Sequence, residues 1–150
     1  MGIKVVATNR KASHEYFLME HYEAGIALQG SEIKSVRAGQ ISLAEAYVQV
    51  GSHEAWLLDA HIAPYEQAGI YNHEPRRPRR LLLHRSEIHK LWDEIRQKGV
   101  TVIPTKVYLK EGLAKVEIAV AKGKKLYDKR DTIAKRDAQR EMERVAHRRE

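Results

Sequence analysis

Several segments of this chain are short apolar runs or alternate apolar and polar positions with the two-residue period of half-buried strands. Glu15–His21 carries Tyr16, Phe17, Leu18 and Met19 and predicts a strand. Glu23–Gln29 alternates more loosely and predicts a second strand or a bulged continuation of the first, with Gly25 and Gly30 as bulge or turn glycines. Tyr47–Val50, then Gly51-Ser52, then Glu54–Leu58 is a hairpin pattern. Val100–Leu109 and Leu113–Ala121 alternate around Lys110-Glu111-Gly112 and predict a closing hairpin, in which Pro104 marks an edge or a bulge.

Two segments switch to helical spacing. Ser31–Ala38 sets Ile33 and Val36 three apart, with Ser31 able to cap and Gly39 placed to end the helix. Lys34 and Arg37 then share its exposed side. Ser86–Lys98 is the strongest helix: Ile88, Leu91, Trp92 and Ile95 fall at i, i+3, i+4 and i+7, Ser86 is its expected cap, and Gly99 ends it. Residues 1–11 are expected to be a polar, basic arm ending in Asn9-Arg10-Lys11. Residues 64–80 are expected to be a long loop with little packing of its own. It contains three of the four prolines and, in its last six residues, Arg76, Arg77, Arg79 and Arg80.

Five or six short strands with a helix before the last two predict a mainly β domain with added helices, a small antiparallel barrel of OB type. An SH3-like barrel or an α+β sandwich fits the pattern alone nearly as well. The chain contains no cysteine, which excludes a disulfide framework, a thiolate metal site and a thiol nucleophile. No apolar run approaches the ~20 residues of a membrane span, and the N-terminus lacks a signal-peptide pattern. A cytoplasmic setting is therefore expected.

Charge divides the chain in two. Residues 122–150 hold 11 Lys/Arg against 6 Asp/Glu, while residues 1–121 hold 16 against 14. Most of the net +7 thus lies in the tail. The tail has few large apolar residues, among them Leu126, Ile133, Met142 and Val145. Ordering a residue costs roughly 1–2 kcal/mol of backbone entropy, which so little apolar area does not offset. Residues 1–121 are therefore expected to form the barrel, and 122–150 a basic tail disordered until a polyanion binds it. Ala134, Ala138, Met142 and Val145 would line one narrow stripe if the tail became helical.

Catalytic chemistry is absent from the pattern. The eight histidines are scattered, and there is no glycine-rich phosphate loop, HExxH or Gly-x-Ser-x-Gly. No metal ligand set or cofactor is expected. RNA chemistry is better represented. Arg10-Lys11, Lys34/Arg37, Arg76–Arg80 and the tail are basic patches, and Tyr16, Tyr71, His73, His84 and Tyr127 lie near them. Arginine forks suit phosphate, and aromatic faces suit unpaired bases. Core or rim packing is the expected role for Tyr16, whereas Tyr127, between Lys124-Lys125 and Lys129-Arg130, has no core to join.

At this point the motifs become specific. Asn9-Arg10-Lys11-Ala12 with His14-x-Tyr16, the run from Tyr22 to Gly39 (YEAGIALxGxEIKSxRAG), His61–Tyr65, Asn72-His73, Leu81–His84 and GKKxYDKR over Gly123–Arg130 together resemble the small protein B family, the tmRNA-binding proteins of bacterial trans-translation. The resemblance covers essentially the whole chain. It implies an OB-type barrel that grips the tRNA-like domain of tmRNA, and a tail that enters the decoding centre and empty mRNA channel of a stalled ribosome, meeting small-subunit rRNA there. By position it implies tmRNA contacts at Asn9, Arg10, Lys11, Tyr16, Glu23, Lys34, Arg37, Arg76, Arg77, Arg79 and Arg80. It implies decoding-site contacts at Lys124, Lys125, Tyr127, Asp128, Lys129 and Arg130. The expected function is a non-enzymatic adaptor for ribosome rescue, without a small-molecule substrate or a membrane partner. A generic OB-type RNA- or single-stranded-DNA-binding module with a non-specific tail is the first rival, and an RNA-processing enzyme the second.

Overall fold

The computed structural model describes residues 2–123. The expectations for Lys124–Arg130 and the rest of the tail lie outside the described residues. Nine antiparallel strands and three α-helices follow one another as β1 (Ile3–Thr8), α1 (Arg10–Glu15), β2 (Tyr16–Ile26), α2 (Gly30–Arg37), β3 (Ile41–Ser42), β4 (Tyr47–Val50), β5 (Ala55–Leu58), β6 (His61–Ile62), β7 (Arg79–Leu82), α3 (Arg85–Lys98), β8 (Thr101–Lys110) and β9 (Leu113–Gly123), with a 3-10 helix at Glu66–Tyr71. Six strands close a ring, β8–β4–β5–β7–β2–β9, because β9 pairs with both β2 and β8. The small β3–β6 pair stands beside it. This is the expected OB-type barrel, closed except along the second half of β8, where β1 pairs in place of β4.

The two predicted halves of the first strand are one. β2 runs through eleven residues, and its pairing with β9 slips between Leu18 and His21, a bulge that lets one strand serve both segments. Pro104 sits at a bulge of β8, where the pairing with β9 shifts before Lys106. The arm reading of residues 1–11 is corrected. Ile3–Thr8 pairs with the second half of β8, from Ile3↔Lys110 to Thr8↔Lys106, where β4 no longer reaches. Asn9 then locks the turn into α1, its amide N donating to Thr105 O at 2.8 Å and its Nδ2 to Pro104 O at 3.0 Å.

Inward positions of the ring strands form one core. Val48, Leu57, Leu81, Val102, Val116 and Ile118 are buried in it, joined by Ile88 and Leu91 from α3 and Val36 from α2. The predicted apolar face of α3 is thus the packed one. Its start is earlier than expected. His84 is the cap and its amide N donates to the Glu87 carboxylate at 3.1 Å, the reach of a residue three positions on, which Ser86 would not allow. Gln29 likewise precedes α2 in place of Ser31, its N–H bonded to Glu32 at 2.8 Å.

The largest departure is at 64–80. Arg79 has no exposed surface, and β7 alternates from it: Arg79 and Leu81 inward, Arg80 and Leu82 outward. Arg79 Nε donates to Glu32 Oε2 at 2.7 Å, Nη1 to Ala60 O at 2.7 Å and Nη2 to Pro75 O at 3.1 Å. Arg77 forks onto the same carboxylate, Nε to Oε2 at 3.1 Å and Nη2 to Oε1 at 2.5 Å. Glu32 itself is fully buried. The segment read as unpacked is therefore fastened to α2 and to β7 through one carboxylate, so it does not present four free arginines.

Removing one member of such a buried set leaves buried charge without its counter-charge, at a cost of about 3–5 kcal/mol. Glu32→Ala is expected to lower unfolding stability by that amount in urea titrations at pH 7. Burial pushes the Glu32 carboxyl up, but donors from Arg77, the Gln29 N–H and Arg79 outweigh it, and its pKa lies below the usual 4.5. A depressed folded pKa gives stability that is present above about pH 4.5 and is lost as pH falls through the folded value. The wild type is expected to lose stability more steeply than Glu32→Gln below pH 4.5, checked by urea midpoints at stepped pH.

Candidate nucleic-acid interface

Three grooves bring cations together with aromatic or apolar side chains, and a further one beside α1 is lined by Asn9, Arg10 and Lys11. The first has a volume of about 510 Å³ and lies where β2, β7 and β9 meet the start of α3. Glu23, Arg80, Leu82, His84, Arg85 and Lys115 line it. Period-two alternation puts Arg80 and Leu82 on the outer face of β7, and Leu82 is left 53% exposed. Gly25 pairs with Leu82, and a Cβ there would come within 3.2 Å of the Leu82 Cβ, so glycine permits this close strand crossing. Arg80 reaches Glu54 at 3.9 Å, and Glu54 is held by the Trp56 Nε1 at 2.8 Å. Opposite, the Tyr108 hydroxyl donates a short hydrogen bond to Glu23, and Lys110 Nζ stands 3.4 Å from it. The Tyr108 bond first, then the Lys110 charge, holds the Glu23 carboxyl below the usual 4.5, while burial and that same bond raise Tyr108. Glu23 is thus a fixed anion and acceptor at the groove rim.

The second groove, about 500 Å³, runs between α2 and the 3-10 helix, with Lys34, Tyr65 and Tyr71 on its walls. The third, about 370 Å³, lies beside α1 and brings together Asn9, Lys11, Tyr16 and Tyr47. Tyr16 also packs against Ala12, Ile103 and Ala121, the rim role expected of it. Arg10 and Lys11 are exposed in the first turn of α1, whose buried residue is Ala12.

Glu23 and Arg80 therefore share one groove, and Asn9, Lys11 and Tyr16 another. Lys34 belongs to a third, and Arg37 points to the β8–β9 turn, where Nη2 lies 3.5 Å from Gly112 O. Arg76 is exposed, anchored by Nη1 to Asp59 O at 3.3 Å. Arg77 and Arg79 face Glu32. His73, grouped with the stacking aromatics by sequence, is buried: Nδ1 meets the Ser31 hydroxyl at 2.8 Å and Nε2 the Ile62 carbonyl at 2.9 Å. Lys115 and Arg85 are groove cations outside the expected set. The alternation of β9 gave a signal for Lys115, an outward position opposite Gly25. Among the described residues no group of three His, Asp or Glu could hold a metal ion, and no helix is long and apolar enough to cross a membrane.

Fold and surface define a small OB-type barrel whose grooves pair cations with aromatic and apolar side chains, the build of a nucleic-acid-binding module. The chain belongs to the SmpB protein family, whose sequence model matches residues 6–148. The SsrA-binding protein of Desulforudis audaxviator is 57% identical over 143 residues, covering 95% of this chain and 94% of its own length. That of Moorella thermoacetica is 57% identical over 149 residues, covering 99% and 96%. A solved structure described as "tmRNA-SmpB: a journey to the center of the bacterial ribosome" superimposes with a TM-score of 0.66 at 45% identity, covering 78% of this chain and 82% of that one.

Proposed function

We propose that this chain is a tmRNA-binding adaptor that rescues stalled ribosomes by trans-translation, working in the cytoplasm and without catalysis of its own. The observation that carries the reading is likeness along nearly the whole chain, tail included, to proteins named for binding SsrA RNA. The physical build supports it. The barrel offers grooves on several sides, so it suits a folded RNA whose phosphates and unpaired bases arrive from several directions. The groove of Glu23, Arg80 and Lys115 can hold phosphate on its cations while the fixed Glu23 carboxylate accepts from a base edge or a 2′-hydroxyl. Arg76 and Arg80 are the phosphate ligands of the 75–80 segment. Arg77 and Arg79 act by holding that segment in place. The tail, with Lys124, Lys125, Tyr127, Asp128, Lys129 and Arg130, is the part that reads the decoding site.

The tRNA-like domain of tmRNA is expected to bind far more tightly than an unstructured strand of equal length, and equal affinity would leave the generic-module reading. Arg80→Gln is expected to weaken that binding and to reduce the slope of log K against log salt by about 0.7–0.9 for a lost phosphate contact. Fluorescence anisotropy at four salt concentrations measures both. A chain ending at Gly123 keeps every described strand. It is expected to retain the affinity of the full chain for the tRNA-like domain while failing to support peptide tagging in a reconstituted translation assay. Loss of RNA affinity on truncation would contradict the division between body and tail.

A further inference from the structure

The groove between α2 and the 3-10 helix carries a feature that the family likeness leaves without a role. Ile70 and Tyr71 are 90% and 81% exposed, more than any other large apolar side chain among the described residues. Their segment is nonetheless built. Asn72 Oδ1 accepts from the Tyr65 N–H at 2.9 Å and its Nδ2 donates to Tyr65 O at 2.8 Å, clasping both ends of the 3-10 helix. His73 continues the anchor into the interior. Inside the helix Gly69 adopts φ 55° and ψ −121°, a kink that turns the last two residues out. A Cβ at Gly69 would meet nothing within 4 Å, so the backbone conformation, not crowding, requires glycine there. The result is a fixed aromatic display on a short, tethered turn.

Across the groove, Lys34 Nζ stands 5.6 Å over the Tyr65 ring, which holds the ammonium beside the cavity. Gln29 and Gln67 supply polar edges, and no carboxylate lines the groove. A cationic wall, an exposed ring and neutral donors match an unpaired base with its phosphate. They match an apolar peptide less well, since the polar edges would go unanswered.

We infer that this groove is a stacking subsite for one unpaired base of the bound RNA, with Tyr71 as the platform and Lys34 holding the adjoining phosphate. The inference rests on the RNA-binding reading above and adds a binding position to it. Stacking tolerates any ring, so the hydroxyl of Tyr71 is dispensable.

The test uses the full chain and the tRNA-like domain of tmRNA, with 2-aminopurine placed singly at its unpaired positions. Wild type is expected to quench 2-aminopurine at one of them. Tyr71→Ala is expected to abolish that quenching and to weaken binding about 5- to 150-fold, the range found for losing one stacked base. Tyr71→Phe is expected to keep both. Gly69→Ala, which alters the aim of the ring without touching it, is expected to weaken binding as well. Thermal unfolding of each variant is expected to stay at the wild-type temperature for Tyr71→Ala, because the ring packs on little. Tyr71→Ala binding within twofold of wild type with quenching intact overturns the subsite alone, as does unchanged RNA affinity with weakened association to ribosomes, which would assign the groove to the ribosome. A wild type with no preference for the tRNA-like domain over an unstructured strand overturns both the subsite and the function it rests on.

Discussion

One buried carboxylate organises the surface of this protein. Glu32 sits on α2 and takes donors from the Gln29 amide, from Arg77 and from Arg79, so that it joins a helix, a long connection and a barrel strand. Arg79 spends its remaining donors on the carbonyls of Ala60 and Pro75, at the two ends of that connection. Hydrophobic residues of similar volume would often be as stable at such a site. What they would lack is direction. A charged fork accepts only one arrangement of its partners, and the segment from 59 to 79 has little apolar content with which to fix its own path. The carboxylate supplies that path.

One consequence reaches the surface. Arginines in the 75–80 segment divide by alternation and by partner: Arg77 and Arg79 turn to Glu32, while Arg76 and Arg80 remain exposed. Beside Glu32, the bond of His73 to Ser31 ties the end of the 3-10 helix to α2, and with it the groove of Lys34, Tyr65 and Tyr71. The first groove depends on a different constraint, the close crossing of β2 and β7 at Gly25, which brings Glu23 and Lys115 to the same side as Arg80. The grooves are thus assembled from strand register on one side and from a buried ion set on the other.

Sequence periodicity reached most of the barrel. The β4–β5 hairpin, the β8–β9 pair with its bulge at Pro104 and the packed face of α3 follow from alternation, turn residues and helical spacing, each a local signal. Other elements carry no local signal. Ile3–Thr8 becomes a strand because β8 has a free edge for it more than ninety residues away in sequence. β3 and β6 are two residues each and exist only as a pair. Arg79 reads as one more cation in a basic run, since nothing near it announces a carboxylate 47 positions earlier in the chain. The hydrogen bonds of His73 carry no local signal either, its partner Ser31 being 42 positions away. Long-range pairing of polar groups is where the candidate site was least legible. The outward alternation that exposes Arg80 and Lys115, by contrast, can be read locally once the strand is known.

Glu32 fixes the connection and thereby the face proposed to bind RNA. Amide hydrogen exchange of Glu32→Gln against wild type tests it directly, with the amides of Ile62 and Ala63 as reporters, because they bond to Pro75 O and Gln40 O across the connection. The account predicts more than tenfold faster exchange at these amides, unchanged protection in β2, β8 and β9, and weaker binding of the tRNA-like domain although Lys34 and Arg80 are intact. Wild-type protection at Ile62 and Ala63 together with wild-type RNA affinity would contradict it.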